Sequence, residues 1–182
     1  MIALIIFLTC LFVAVTVGVL AAWSDFKGLV IPNWHSGAII VSFFTAFILM
    51  HLLGQPEVFS GIFSHAAAGI IIFMVTATMF GLKAIGAADS KLSTAFAFWV
   101  GIPGLPAFLF YMTLAGGLIG LSAIALRKLQ PVKNPAPGGW VARVQAGENK
   151  VPYGIAIACG ALVSFVQLGY FSKVILSLLG HS

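Results

Sequence analysis

The sequence predicts an all-α, polytopic membrane protein, a bundle of about six transmembrane helices. Three observations predict it. Of the 182 residues, 61% are hydrophobic and only 7% are charged, whereas a soluble domain carries about 25% charged residues, so the chain cannot cover itself with polar surface. The apolar residues fall into runs near the ~20 residues that a helix needs to cross a bilayer. The cations sit in alternate gaps between those runs, the positive-inside pattern. The length fits a single membrane-embedded domain over 1–182.

Taken in order, the runs are 2–22, 36–53, 61–82, 91–104, 106–126 and 152–179. The first ends in small residues, as a signal peptide does. It has no positive segment before it, and Lys27 comes after it, so it reads as an uncleaved helix. The fourth run is short, and Pro103 and Pro106 blur its junction with the fifth. The gap from Arg127 to Val151 holds Pro131, Pro135, Pro137, Gly138, Gly139 and Gly147, the chemistry of an irregular, mobile loop. Lys27 lies in the first gap. Lys83 lies in the third, with Lys91 at its edge. Arg127, Lys128, Lys133, Arg143 and Lys150 lie in the fifth, and the second and fourth gaps hold no cation. The odd gaps should therefore be cytoplasmic, with both termini outside and Lys173 snorkelling to the outer interface.

The same composition excludes other classes. A net charge of +5 without a basic patch interleaved with aromatics argues against a nucleic-acid partner; the expected partner is the lipid bilayer. Cys10 and Cys159 lie inside apolar runs with no CxxC, as small packing residues do. His35, His51, His65 and His181 lack ligand spacing, so neither a metal nor a cofactor is expected. Gly116 and Gly120 form a GxxxG that predicts close helix packing.

The chemistry rests with the acids, of which there are four. Glu57 falls in an outer gap and Glu148 in the long polar gap, both solvated positions. Asp25 follows the first run and Asp89 precedes the fourth; two spans, one out and one back, return both to the same membrane edge. An ionisable residue at membrane depth is expensive and marks function by default; the bland alternative is an interfacial loop acid beside Lys27 or Lys91. As a pair the aspartates suit acid–base chemistry. Two carboxylates a few ångströms apart do not both ionise easily, so one holds a proton while the other takes one from water. That water can attack a peptide carbonyl, with the acid polarising the carbonyl oxygen and later serving the leaving amine.

Three stretches then stand out in order. Ser24-Asp25-Phe26-Lys27-Gly28-Leu29-Val30-Ile31-Pro32-Asn33 follows the first run. Gly86-Ala87-Ala88-Asp89-Ser90-Lys91-Leu92 precedes the fourth. Val151-Pro152-Tyr153-Gly154 opens the last. Together they resemble the prepilin peptidases, or type IV leader peptidases, over most of the chain. The resemblance implies a fold of about six helices and an active site at the cytoplasmic face of the bacterial inner membrane. It implies removal of a short basic leader, usually after a glycine, from pilin-like precursors that enter as transmembrane helices. It carries the catalytic pair onto Asp25 and Asp89. The chain lacks the CxxC segment of the large members, so it resembles the short form of Flp, or tight-adherence, pili, and methyltransferase activity is not expected. It departs from the family pattern at Ala88, where the family has glycine; alanine suits a negative φ there and is strained at a positive one.

Around the pair, Lys27 and Lys91 either tune the carboxylates or anchor topology. Gly86 belongs to the second stretch, Asn33 either caps the second helix or supports the site, and Tyr153 lines the substrate site or joins an interfacial aromatic belt. Two other readings use the same residues: a small transporter or proton pathway, which would show inverted repeats or broken midplane helices, and a scaffold that binds pilin precursors without cleaving them. Oligomeric state is not legible.

Overall fold

The computed structural model describes residues 1–180; His181 lies outside the described residues. Among those described the chain is all helix, with no strand: α1 (Ile2–Gly28), α2 (Asn33–Leu52), α3 (Ile62–Gly81), α4 (Ala87–Leu129), α5 (Trp140–Gln145), α6 (Tyr153–Gln167) and α7 (Lys173–Gly180). Spans Ile2–Gly28, Asn33–Leu52, Pro56–Gly81 and Ala87–Leu129 are long and apolar enough to cross a membrane. Helices satisfy their own backbone groups, which is what a bilayer demands of a spanning segment. Large apolar side chains such as Phe12, Phe63 and Phe110 point outward, as a surface solvated by lipid requires.

The predicted fourth and fifth runs form one assigned helix, α4, and the break within it is at Gly101 rather than at the prolines. Gly101 has φ 60 and ψ −177, a conformation that a Cβ makes costly. Pro103 and Pro106 follow in the first turns of the second arm. The two arms of α4 run back to back. Tyr153 lines the same cleft as Asp89 of the first arm, and its hydroxyl would lie 3.1 Å from a Cβ on Gly116 of the second arm. A straight helix would carry Gly116 about 40 Å beyond Asp89. The reversal divides the longest of the four candidate spans into two arms, and α6 is a shorter apolar helix beside them.

Helix ends differ from the runs wherever polar residues extend a helix. α1 continues past position 22 to Gly28 and stops at Leu29, in the left-handed region (φ 53), whose N–H bonds the Asp25 carbonyl at 2.7 Å. Asp25 thus sits inside the last turn of α1, not in the loop after it. α4 begins at Ala87, so Asp89 lies in its first turn instead of preceding the helix. Hydropathy marks where apolar residues stop; capping marks where the helix stops. The run 152–179 is divided at Gly169 (φ 78) into α6 and α7. The gap after Arg127 is not wholly irregular either: α4 runs on to Leu129, and α5 is tied down by a bond from Trp140 Nε1 to the Lys150 carbonyl at 3.0 Å.

The core is aromatic and lies toward the end of the bundle away from the aspartates. Phe7, Phe43, Phe59, Trp99, Phe165 and Tyr170 pack with ring centroids 5.6–6.2 Å apart. Tilted and edge-on pairs of this kind add about 0.5–1.5 kcal/mol each. Their polar atoms are closed: Trp99 Nε1 donates to the Ile39 carbonyl (3.1 Å) and the Tyr170 hydroxyl to the Trp99 carbonyl (2.9 Å). His65, 1% exposed, places Nδ1 2.7 Å from the Phe98 carbonyl and Nε2 3.0 Å from the Ser60 hydroxyl, while Ser64 accepts the Ile102 N–H at 3.2 Å. These bonds hold the backbone on both sides of the Gly101 break. Close helix packing also occurs at Gly160 of α6, where a Cβ would lie 2.7 Å from the Phe108 carbonyl; Gly116 takes part through Tyr153, while Gly120 has nothing within 4 Å.

Candidate active site

Asp25 and Asp89 come from helices far apart in sequence and line one cleft of ≈ 400 Å³. Each is pinned by one carboxylate oxygen. Asp25 Oδ2 accepts the Gly154 N–H at 2.7 Å, at the N-terminus of α6. Asp89 Oδ2 accepts the Gly86 N–H at 3.1 Å, at the N-terminus of its own helix, one half of a capping box. The first N–H groups of a helix have no intrahelical partner and carry the positive end of its dipole, so both positions suit a carboxylate. Among the described residues the other oxygen of each, Oδ1, has no hydrogen-bond partner. Asp25 is 5% exposed, and Asp89 is half-buried.

Gly154 makes the first of these contacts possible. A Cβ there would stand 3.1 Å from Asp25 Oδ2, 3.2 Å from Asp25 Cβ and 3.1 Å from Ile31 Cδ1. The rest of the cleft wall is Leu29, Lys83, Ala84, Ile85, Gly86, Asn149, Lys150, Val151 and Tyr153.

Of the predicted supporting residues, Gly86 and Tyr153 line the cleft. Lys27 and Lys91 do not. Lys27 Nζ lies 4.8 Å above the Trp23 ring, in a neighbouring groove with Phe26 and Trp140. Lys91 Nζ donates to Asn33 Oδ1 at 3.0 Å. This bond ties α4 to the start of α2, and Asn33 makes no capping bond; Pro32 occupies the cap position. Ala88 is helical and is not among the residues with positive φ. Its methyl therefore strains no backbone, and it packs partly buried against the core. Nothing local in the sequence marks Gly154, Lys83, Asn149 or Lys150 as site residues; Pro-Tyr-Gly is the one visible signal, and it points at the tyrosine.

The family model of the type IV leader peptidases matches residues 12–121, more than half of the chain. The chain belongs to the type IV leader peptidase family. Searches of curated proteins and of solved structures give no match. The matched region contains both aspartates and the Gly101 break, and it ends before Tyr153 and Gly154. The contact that pins Asp25 is thus made from outside the matched residues. The family's activity is that of a peptidase, and the apolar spans fit a membrane protein.

Proposed function

We propose that this leader peptidase is an aspartyl endopeptidase that removes the leader from type IV, Flp-like prepilins at the cytoplasmic face of the bacterial inner membrane. The observation that carries the reading is the convergence of Asp25 and Asp89 on one cleft, each held by one oxygen and open at the other. One carboxylate accepts a proton from water, and the resulting nucleophile attacks the scissile carbonyl carbon. The other, protonated, donates a hydrogen bond to the carbonyl oxygen. The tetrahedral adduct collapses as the leaving nitrogen takes up a proton, releasing a leader carboxylate and a pilin amine. Residues of both roles are already oriented by backbone bonds, which lowers the cost of reaching the reactive geometry.

The placement at the cytoplasmic face is supported by charge. Lys83 and Lys150 line the cleft, and Lys27, Lys91, Arg127 and Arg143 attach to elements around it, as the positive-inside rule expects of a cytoplasmic end. The test is co-expression with a Flp-type prepilin and measurement of pilin mass. Wild type should release the leader. Asp25→Asn and Asp89→Asn, folded alike, should each be slower by on the order of 10³-fold, the scale of a lost acid or base. Full processing by either variant removes the mechanism; no processing by a folded wild type across several pilins removes the activity.

A further inference from the structure

We propose that Lys83 and Lys150 form a carboxylate-binding pair on the rim of the candidate cleft. The proposal rests on the reading of that cleft as the place where the peptide is cut. Both lysines line it, and they come from different segments of the chain. Lys83 belongs to the turn between α3 and α4, where it adopts φ 60 and is held by Lys83 N–H to the Phe80 carbonyl (2.9 Å) and Ala84 N–H to the Met79 carbonyl (2.9 Å). Lys150 belongs to the segment before α6. Its carbonyl accepts Trp140 Nε1 at 3.0 Å, and the preceding Asn149 Oδ1 accepts Arg127 Nη1 at 2.7 Å. Both backbones are fixed while both ammonium groups stay at the ends of flexible four-carbon stems.

The neighbouring cations are engaged elsewhere. Lys27 lies on Trp23, Lys91 on Asn33, Arg127 on Asn149, and Arg143 on the Gly138 carbonyl and Glu148. Among the described residues the ion pair within 4.0 Å is Arg143–Glu148, so neither Lys83 nor Lys150 is neutralised by Asp25 or Asp89. Two uncommitted cations therefore share a half-enclosed cleft with two aspartates. Hydrolysis creates a third carboxylate in this cleft, the new C-terminus of the leader. Beside two aspartates that group is repelled unless cations offset it. An ammonium group is a compact charge with three donors, suited to a carboxylate whose exact position shifts between substrate and product. An acidic side chain of the substrate close to the scissile bond presents the same chemistry.

The test is direct binding to the full-length protein in nanodiscs, which does not depend on turnover. The probe is a short synthetic peptide with two lysines and a terminal glycine, prepared as free acid and as amide. A second probe pair extends a few residues past the glycine and carries either glutamate or glutamine. Wild type should bind a carboxylate form about tenfold more tightly than its neutral twin, the scale of one charge-assisted hydrogen bond. The preference should fall with salt. It should vanish in Lys83→Met/Lys150→Met and survive in Lys83→Arg/Lys150→Arg, which also reports on folding. Preference for free acid over amide identifies the product terminus as the ligand; preference for glutamate over glutamine identifies a substrate side chain. Equal binding of both members of both pairs, or a preference that persists without the lysines, overturns the proposal. Prepilin processing measured in parallel stands or falls separately, through Asp25 and Asp89.

Discussion

The two ends of this helical bundle treat buried polar atoms in opposite ways. At the end holding Gly101, the ring polar atoms of the aromatic core close on partners: Trp99 on the Ile39 carbonyl, Tyr170 on the Trp99 carbonyl, His65 on the Phe98 carbonyl and Ser60. At the other end, Asp25 and Asp89 each spend one oxygen on a helix N-terminus and turn the other loose beside a cleft. In an apolar medium an unpaired polar group is costly. Closed networks therefore hold a shape, and the half-open pair leaves free acceptor oxygens for the proposed chemistry. The Gly101 end is the frame; the carboxylate end holds the proposed site.

Glycine substitutions separate the two roles. Among these glycine variants, the largest effect on activity should come from Gly154→Ala. A Cβ 3.1 Å from Asp25 Oδ2 and 3.1 Å from Ile31 Cδ1 pushes the carboxylate by a few tenths of an ångström. Misplacement of a reacting group on that scale costs about 10- to 100-fold in rate. Prepilin processing should fall by that factor while thermal unfolding in detergent stays within a few degrees of wild type. Gly101→Ala should do the reverse. Its residue would hold φ 60 with a Cβ 3.0 Å from His65 Cε1 and 3.2 Å from Ser60 Oγ, a cost of roughly 1–3 kcal/mol. Folded yield and unfolding temperature should drop, with the KM of the surviving enzyme unchanged. If Gly154→Ala unfolds the protein, or if Gly101→Ala changes KM alone, the division between frame and site is wrong.

How much of this was legible in the sequence follows from the range of each interaction. Spans were legible because a bilayer imposes a length and a composition on consecutive residues. The aspartates were legible because two spans between them fix their parity, putting both at one edge without any knowledge of packing. Their exact setting was not, since hydropathy is blind to the αL stop at Leu29 and to the Gly86–Asp89 cap that pull both acids into helices. The prolines lie close to the break but do not make it; the φ of Gly101 is a property of the folded backbone. Gly154 reaches Asp25 across 129 residues, and Lys83 and Lys150 line one cleft only because a turn and a loop fold to it. No local pattern encodes such meetings.

A smaller effect is expected at Gly116→Ala, on the second arm of α4. The new methyl would stand 3.1 Å from the Tyr153 hydroxyl and 3.2 Å from its Cζ, so the ring must shift slightly within the cleft wall. A change of about threefold, in KM more than in kcat, is the expected outcome, because Tyr153 lines the cleft while the carboxylates stay in place. An equal loss in kcat would instead bring Tyr153 into the chemistry itself.

The smallest effect should be at Ala88→Gly, which puts glycine where the sequence resemblance expects it. Ala88 is already helical, with its methyl packed against the core and no positive φ to relieve. Glycine in this turn removes apolar contact and raises the entropy of the unfolded chain, for a loss of up to about 1 kcal/mol. Processing should change by less than about twofold, within what such a shift in stability allows. A large gain in rate would mean that the turn before Asp89 must open during catalysis into a conformation that alanine resists. The first turn of α4 would then be a moving part of the site, and the contrast between a closed frame and an open cleft would extend to the backbone that carries the second aspartate.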